Sequence, residues 1–70
     1  MKEYIDFLYQ DTESGEMFFV ELDYNPETTP NPAETLRIKA DEIAAENFEE
    51  PEFQGVYSNE DAELLGYDTY

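Results

Sequence analysis

The feature that most constrains this chain is its charge: 70 residues carry 19 Asp and Glu against 3 Lys and Arg, a formal net charge of −16. A compact domain of this length has a diameter of roughly 28 Å, so one net charge falls about every 1.8 Å across it. Duplex DNA carries one per about 1.7 Å of helix axis. Self-repulsion on that scale opposes any compact state, and a domain this small buries only about 60% of the surface its unfolded chain exposes. Folding therefore requires a concentrated apolar core. Six Tyr and five Phe, together with Ile, Leu and Val, provide the material for one and separate the chain from disordered acidic segments.

The missing residue types exclude much chemistry. Without cysteine or histidine there are no disulfides, no thiolate or imidazole metal ligands, and no side chain of the kind that shuttles protons in nucleophilic dyads and triads. Paired carboxylates can hydrolyse glycosides, but they need a cleft that perturbs one pKa, which a domain of this size is not expected to enclose. The segment Asp11-Thr12-Glu13-Ser14-Gly15-Glu16 fails as a calcium loop, because Gly15 is fifth where the EF-hand needs Gly sixth and Leu22 stands twelfth where it needs Glu. The expectation is a non-enzymatic protein with no cofactor and no metal. No stretch approaches the roughly 20 apolar residues of a membrane span, and Met1-Lys2-Glu3-Tyr4 lacks the layout of a signal peptide. A cytoplasmic location is the expectation.

Ile5, Phe7 and Tyr9 alternate as one side of a strand, with Tyr4 and Leu8 blurring the pattern, and Phe18, Val20, Leu22 and Tyr24 alternate more cleanly. The turn cluster Asp11 to Gly15 between them predicts a β-hairpin over 3–24. After a proline-rich loop, Asn31, Pro32 and Glu34 form a helix start signal, and Ala33, Leu36, Ala40, Ile43, Ala44 and Asn47 recur at helical spacing until Pro51. This predicts one helix over about 32–49. A rival reading takes Leu36 to Ala40 as a strand followed by a shorter helix capped by Asp41; the caps at both ends favour the single helix. Residues 53–57 read as a short strand. Ser58-Asn59-Glu60-Asp61 and Gly66 bracket a short helix over 59–65, and Tyr67 to Tyr70 carry no clear local signal. The expected fold is one α+β domain, a small antiparallel sheet of the hairpin and a short third strand, packed on one face by a long helix, with a short C-terminal helix.

On that helix the apolar stripe centres near Leu36 and Ala40, and Glu34, Asp41, Glu42, Glu46 and Glu49 fall opposite. Acids one helical turn apart, about 5.4 Å, approach the spacing of neighbouring phosphates, although a surface helix in any Glu-rich protein has this pattern too. Ile38 points into the same face. Further acids cluster at Glu49-Glu50-Pro51-Glu52, at Glu60-Asp61-Ala62-Glu63, and at Asp6, Glu21 and Asp23 of the hairpin. The aromatic count exceeds what so small a core can bury, so Tyr57, Tyr67 and Tyr70 are expected at the surface. Tyr beside carboxylates is the composition of an interface that meets Lys and Arg, and like-charge repulsion excludes nucleic acid as a direct ligand.

In charge profile and build, the whole chain resembles the small DNA-mimic inhibitors of phages and mobile elements, notably anti-CRISPR and anti-restriction proteins; no motif accompanies the resemblance. It implies a phage-type protein acting in the host cytoplasm, as monomer or small homo-oligomer, that docks in the Lys- and Arg-lined channel of a nucleic-acid-binding defence protein. The alternatives are an acidic interaction module for another basic partner, and an accessory protein whose charge serves solubility or salt adaptation.

Overall fold

The computed structural model describes residues 2–70. Strands β1 (Glu3–Asp11) and β2 (Met17–Tyr24) pair antiparallel. In the turn between them, the Asp11 carboxylate accepts from the Glu13 amide at 3.3 Å and the Ser14 hydroxyl at 3.0 Å, and Gly15 takes φ +80°, a left-handed conformation that costs glycine little. Strand β3 (Pro51–Ser58) pairs antiparallel with the far edge of β1, and the two-residue β4 (Asp68–Thr69) runs parallel to β2. The sheet is thus four-stranded and mixed, in the order β3-β1-β2-β4.

Both faces of this sheet are covered. On one, Ile5, Phe7, Tyr9, Phe18 and Val20 are buried against Ala40 and Ala44 of helix α2 (Arg37–Asn47), with Phe48 and Phe53 at the margin. On the other, Leu8 and Phe19 are buried against Ala62 of helix α3 (Asn59–Leu65), flanked by Met17 and Tyr57. Successive residues of a strand point to opposite faces, so the neighbours Phe18 and Phe19, each with no exposed surface, sit in two different cores. A bulge opposite Leu8 and Tyr9 lets β3 serve both. Leu8 faces Gly55 while Tyr9 faces Phe53, so Gln54 is the extra residue, and the parity of the strand changes across it. Phe53 consequently packs toward α2 and Tyr57 toward α3.

Three features of the expected fold are corrected. No long helix forms among the described residues: α1 (Pro32–Thr35) ends where Leu36 adopts φ −94°, ψ −3°, well short of the helical ψ near −42°, and α2 starts again at Arg37. Nor are residues 36–40 a strand. The Asn31 amide donates to the Glu34 carboxylate at 2.7 Å and makes no side-chain cap, so the start signal supports only a single turn. The second correction is at the other end. Phe48 leaves the helix at φ −138°, ψ 150° and stacks on Phe18 with ring centroids 3.9 Å apart, so α2 stops at Asn47 and Glu49 lies outside it. The third is that the sheet is mixed, with α3 on its second face. Tyr70 closes the edge: its amide donates to the Phe19 carbonyl at 2.8 Å, its carbonyl accepts from Glu21 at 3.0 Å, and its ring packs edge-on against Phe18 and Phe48.

Two cores predict two comparable losses. Phe18→Ala and Phe19→Ala should each cost about 3–5 kcal/mol, against a total stability of about 4–10 kcal/mol for a domain this long. Leu64→Ala, at a residue 85% exposed, should change stability by less than about 0.5 kcal/mol. Urea denaturation measures all three, and a loss at Phe19 near that of Leu64 would show that the α3 face is not a core.

Candidate functional site

The acids divide by burial. Asp6 and Asp11 are buried, Glu21 and Asp41 are half-buried, and the other fifteen of the nineteen are exposed. Of the three cations, Lys2 pairs with Asp23 at 3.2 Å and Arg37 with Asp41 at 2.9 Å, while Lys39 forms no ion pair among the described residues. The outer surface is therefore almost unneutralised.

The acids expected to share one helix face are spread over several elements. Glu42 and Glu46 are exposed one turn apart on α2, and Glu34 is exposed on α1. Asp41 is turned toward the sheet, where its carboxylate accepts from the Tyr9 hydroxyl and from Arg37 Nε. Burial, with Asp41 beside it, raises the Tyr9 pKa above its ordinary value. Arg37 lies over the Phe53 ring, 3.5 Å from its centroid, so this cluster joins α2 to β1 and β3.

Glu49 and Glu50 reach the turn of the hairpin. The Glu50 carbonyl accepts from the Thr12 amide at 3.0 Å, and proximity to Glu49, then to Asp11 and Glu50, raises the pKa of Glu13. Glu52 is exposed on β3, and Glu60 and Asp61 are exposed in the first turn of α3. Ile38 is 71% exposed. Tyr57 is half-buried against the edge of Phe19, and Tyr67 packs against the same ring while remaining at the surface. Of the Tyr residues expected at the surface, Tyr67 and Tyr70 are exposed and Tyr57 is half-buried; Tyr57 and Tyr67 also pack on Phe19 of the second core, and Tyr70 on Phe18 of the first.

The most unusual group lies beneath α3. Asp6 is 1% exposed, and neither carboxylate oxygen has a hydrogen-bond partner among the described residues. It sits directly across from Glu21 on β2 and from Tyr57 on β3, an arrangement of like charges that destabilises a sheet. Burial first, and the Glu21 charge second, push its pKa up to about 6, with Asn59 partly opposing. The Asn59 amide is engaged elsewhere, donating to the Glu21 carboxylate at 2.8 Å. Asp6, Glu21, Asn59, Ala62, Glu63 and Tyr67 are among the residues lining a pocket of about 310 Å³ that is partly open to solvent. A cleft that perturbs a carboxyl is therefore present where none was expected. The sequence grouped Asp6 and Glu21 as acids of the hairpin but carried no sign that they pair across it or that α3 covers them.

No protein-family model, curated protein or solved structure matches the chain.

The Asp6 carboxyl makes the fold pH-sensitive in a defined direction. Its folded pKa of about 6 exceeds its ordinary 3.8, so between those values the native state holds the proton more tightly than the unfolded chain, and stability from this group is present below pH ~4 and lost as pH rises through ~6. The difference amounts to on the order of 3 kcal/mol. Asp6→Asn should therefore raise the melting temperature at pH 7.5 by at least about 5 °C, with the gain shrinking toward zero near pH 4. Thermal melts across that range test it, and a variant equally destabilised at both ends would refute the assignment.

Proposed function

We propose that this chain is a non-catalytic, nucleic-acid-mimicking inhibitor that occupies the basic DNA- or RNA-binding channel of a partner such as a CRISPR effector or a restriction enzyme. The observation that carries the reading is the distribution of charge. Fifteen exposed acids surround a domain with principal extents of 38 × 25 × 15 Å. Over the longest extent, 16 net charges correspond to one per about 2.4 Å, sparser than the value near 1.8 Å expected for a sphere because the molecule is elongated, and still comparable with duplex DNA. Glu42 and Glu46 on α2, Glu49 and Glu50 beside Glu13, and Glu60 and Asp61 on α3 supply carboxylates in several directions around it. An array of this kind fits a channel that surrounds its ligand better than it fits a flat basic patch.

Burial of so little acid supports a binding role in another way. The protein tolerates strong self-repulsion, and a basic partner relieves it on docking. No helix among the described residues is long and apolar enough to cross a membrane.

A second reading, an apolar-anchored interaction module, draws on the exposure of Ile38 and of Leu64 on α3. Salt separates the two. Carboxylates that stand in for phosphates lose affinity steeply with ionic strength, whereas burial of apolar area depends on it weakly.

In a fluorescence-anisotropy assay, the chain should displace labelled duplex from a purified CRISPR effector or restriction enzyme. Its apparent affinity should fall at least tenfold between about 50 and 200 mM salt. Replacing Glu42, Glu46 and Glu49 together by Gln should weaken displacement by about tenfold and leave the melting temperature unchanged or higher. Simultaneous binding of duplex and chain without mutual weakening would reject mimicry, and a flat salt dependence would favour the apolar module.

A further inference from the structure

Buried acids without partners are costly and are retained at functional sites more often than elsewhere. In a protein already carrying −16, one more carboxylate at the centre of the sheet works against both solvation and the net field. Asp6 is such a group: neither of its buried oxygens has a partner among the described residues, and the residue forms part of the wall of the pocket beneath α3. We infer that this pocket receives a guanidinium group, the side chain of an arginine presented by a protein partner.

The chemistry of the walls selects that ligand. Asp6 supplies a carboxylate whose two oxygens are both unpartnered, Glu21 and Glu63 add two further negative charges, and Glu21 and Asn59 each retain an oxygen beyond their mutual hydrogen bond. None of the three cations lines the pocket, so the site is rich in acceptors and has no positive charge of its own. A carboxylate with both oxygens free matches the planar fork of a guanidinium, which donates two parallel hydrogen bonds, better than it matches the point charge of an ammonium. A divalent metal ion fits less well. It needs six or more oxygens converging at about 2.0–2.6 Å, and no three acidic side chains among the described residues are grouped closely enough to hold one. The volume of about 310 Å³ corresponds to about ten waters, which accommodates a guanidinium and the end of its stem, with Ala62 and Tyr67 as the apolar wall.

The identity of the arginine's owner rests on the proposed function, in which the partner is basic; the guanidinium site itself does not. It is tested on the full chain without any partner, using ethylguanidinium chloride as the probe in a two-dimensional NMR titration at pH 7 and constant ionic strength. Saturable shifts should appear at the Asn59 side-chain amide, Ala62 and Gly66, and the Asp6 carboxyl should titrate lower in the presence of the probe. Asp6→Asn should weaken binding at least tenfold while remaining folded, and Glu63→Gln, at an exposed position, should weaken it several-fold. Shifts that drift without saturating, that spread over all the exposed acids, or that persist in Asp6→Asn would overturn the site. Tighter binding of butylammonium than of ethylguanidinium would overturn the choice of ligand, as would saturation by Mg²⁺ or Ca²⁺ alone. Failure here leaves the displacement of duplex to stand or fall by its own assay, and failure of that assay leaves this titration unaffected.

Discussion

The burial of the neighbours Phe18 and Phe19 on opposite faces of one strand is the constraint on which the rest of the structure depends. A chain this short and this charged has little apolar surface to hide, and a sheet covered only by α2 would leave Leu8, Met17, Phe19 and Tyr57 in water. Covering both faces allows a strand of eight residues to contribute to two cores. Ala40, Ala44 and Ala62 are the buried residues of the two helices that do the covering. Small side chains there let the helix backbones approach the large aromatics of the sheet, so the bulk of each core comes from the strands.

Legibility in the sequence followed the reach of local rules. Alternation places Ile5, Phe7, Tyr9, Phe18 and Val20 on one face, and the turn residues Asp11 to Gly15 join the strands, because period and turn chemistry are properties of neighbouring residues. The blur at Tyr4 and Leu8 is, for Leu8, the mark of the second core: a strand buried on both sides loses its alternation. The break at Leu36 left no trace, since its spacing suits a continuous helix. The departure of Phe48 depends on a stack with Phe18, thirty residues earlier in the chain, which helix periodicity does not register. Strand β4 was invisible for the same reason, its two residues being held by pairing with β2.

The candidate site was legible in composition and illegible in arrangement. An abundance of acid marks a binding surface for cations, but it does not distinguish Asp41, engaged by Tyr9 and Arg37, from Glu42 beside it, which is exposed. Nor does it distinguish Asp6 from Asp23. Both lie on the hairpin, yet one is buried in the wall of a pocket beneath α3 while the other pairs with Lys2 at the surface. Whether a carboxylate is solvated, paired or stranded depends on the element laid over it, here a seven-residue helix.

Sheet connectivity also bears on how quickly the molecule assembles. The hairpin is local, but β3 must find β1 across a long excursion of chain, pairing Asp11 with Pro51 and Ile5 with Ser58. Closing a loop of that length loses entropy before any contact is gained, and topologies dominated by such distant pairings fold slowly. Here β1 carries Glu3, Asp6 and Asp11 and β3 carries Glu52, within a chain of net charge −16, so their encounter is opposed by charge as well as by entropy. The rate-limiting barrier should therefore lie at the docking of β3, reached from an ensemble in which the hairpin already flickers into place, and ionic strength should act on the speed of folding through that single step.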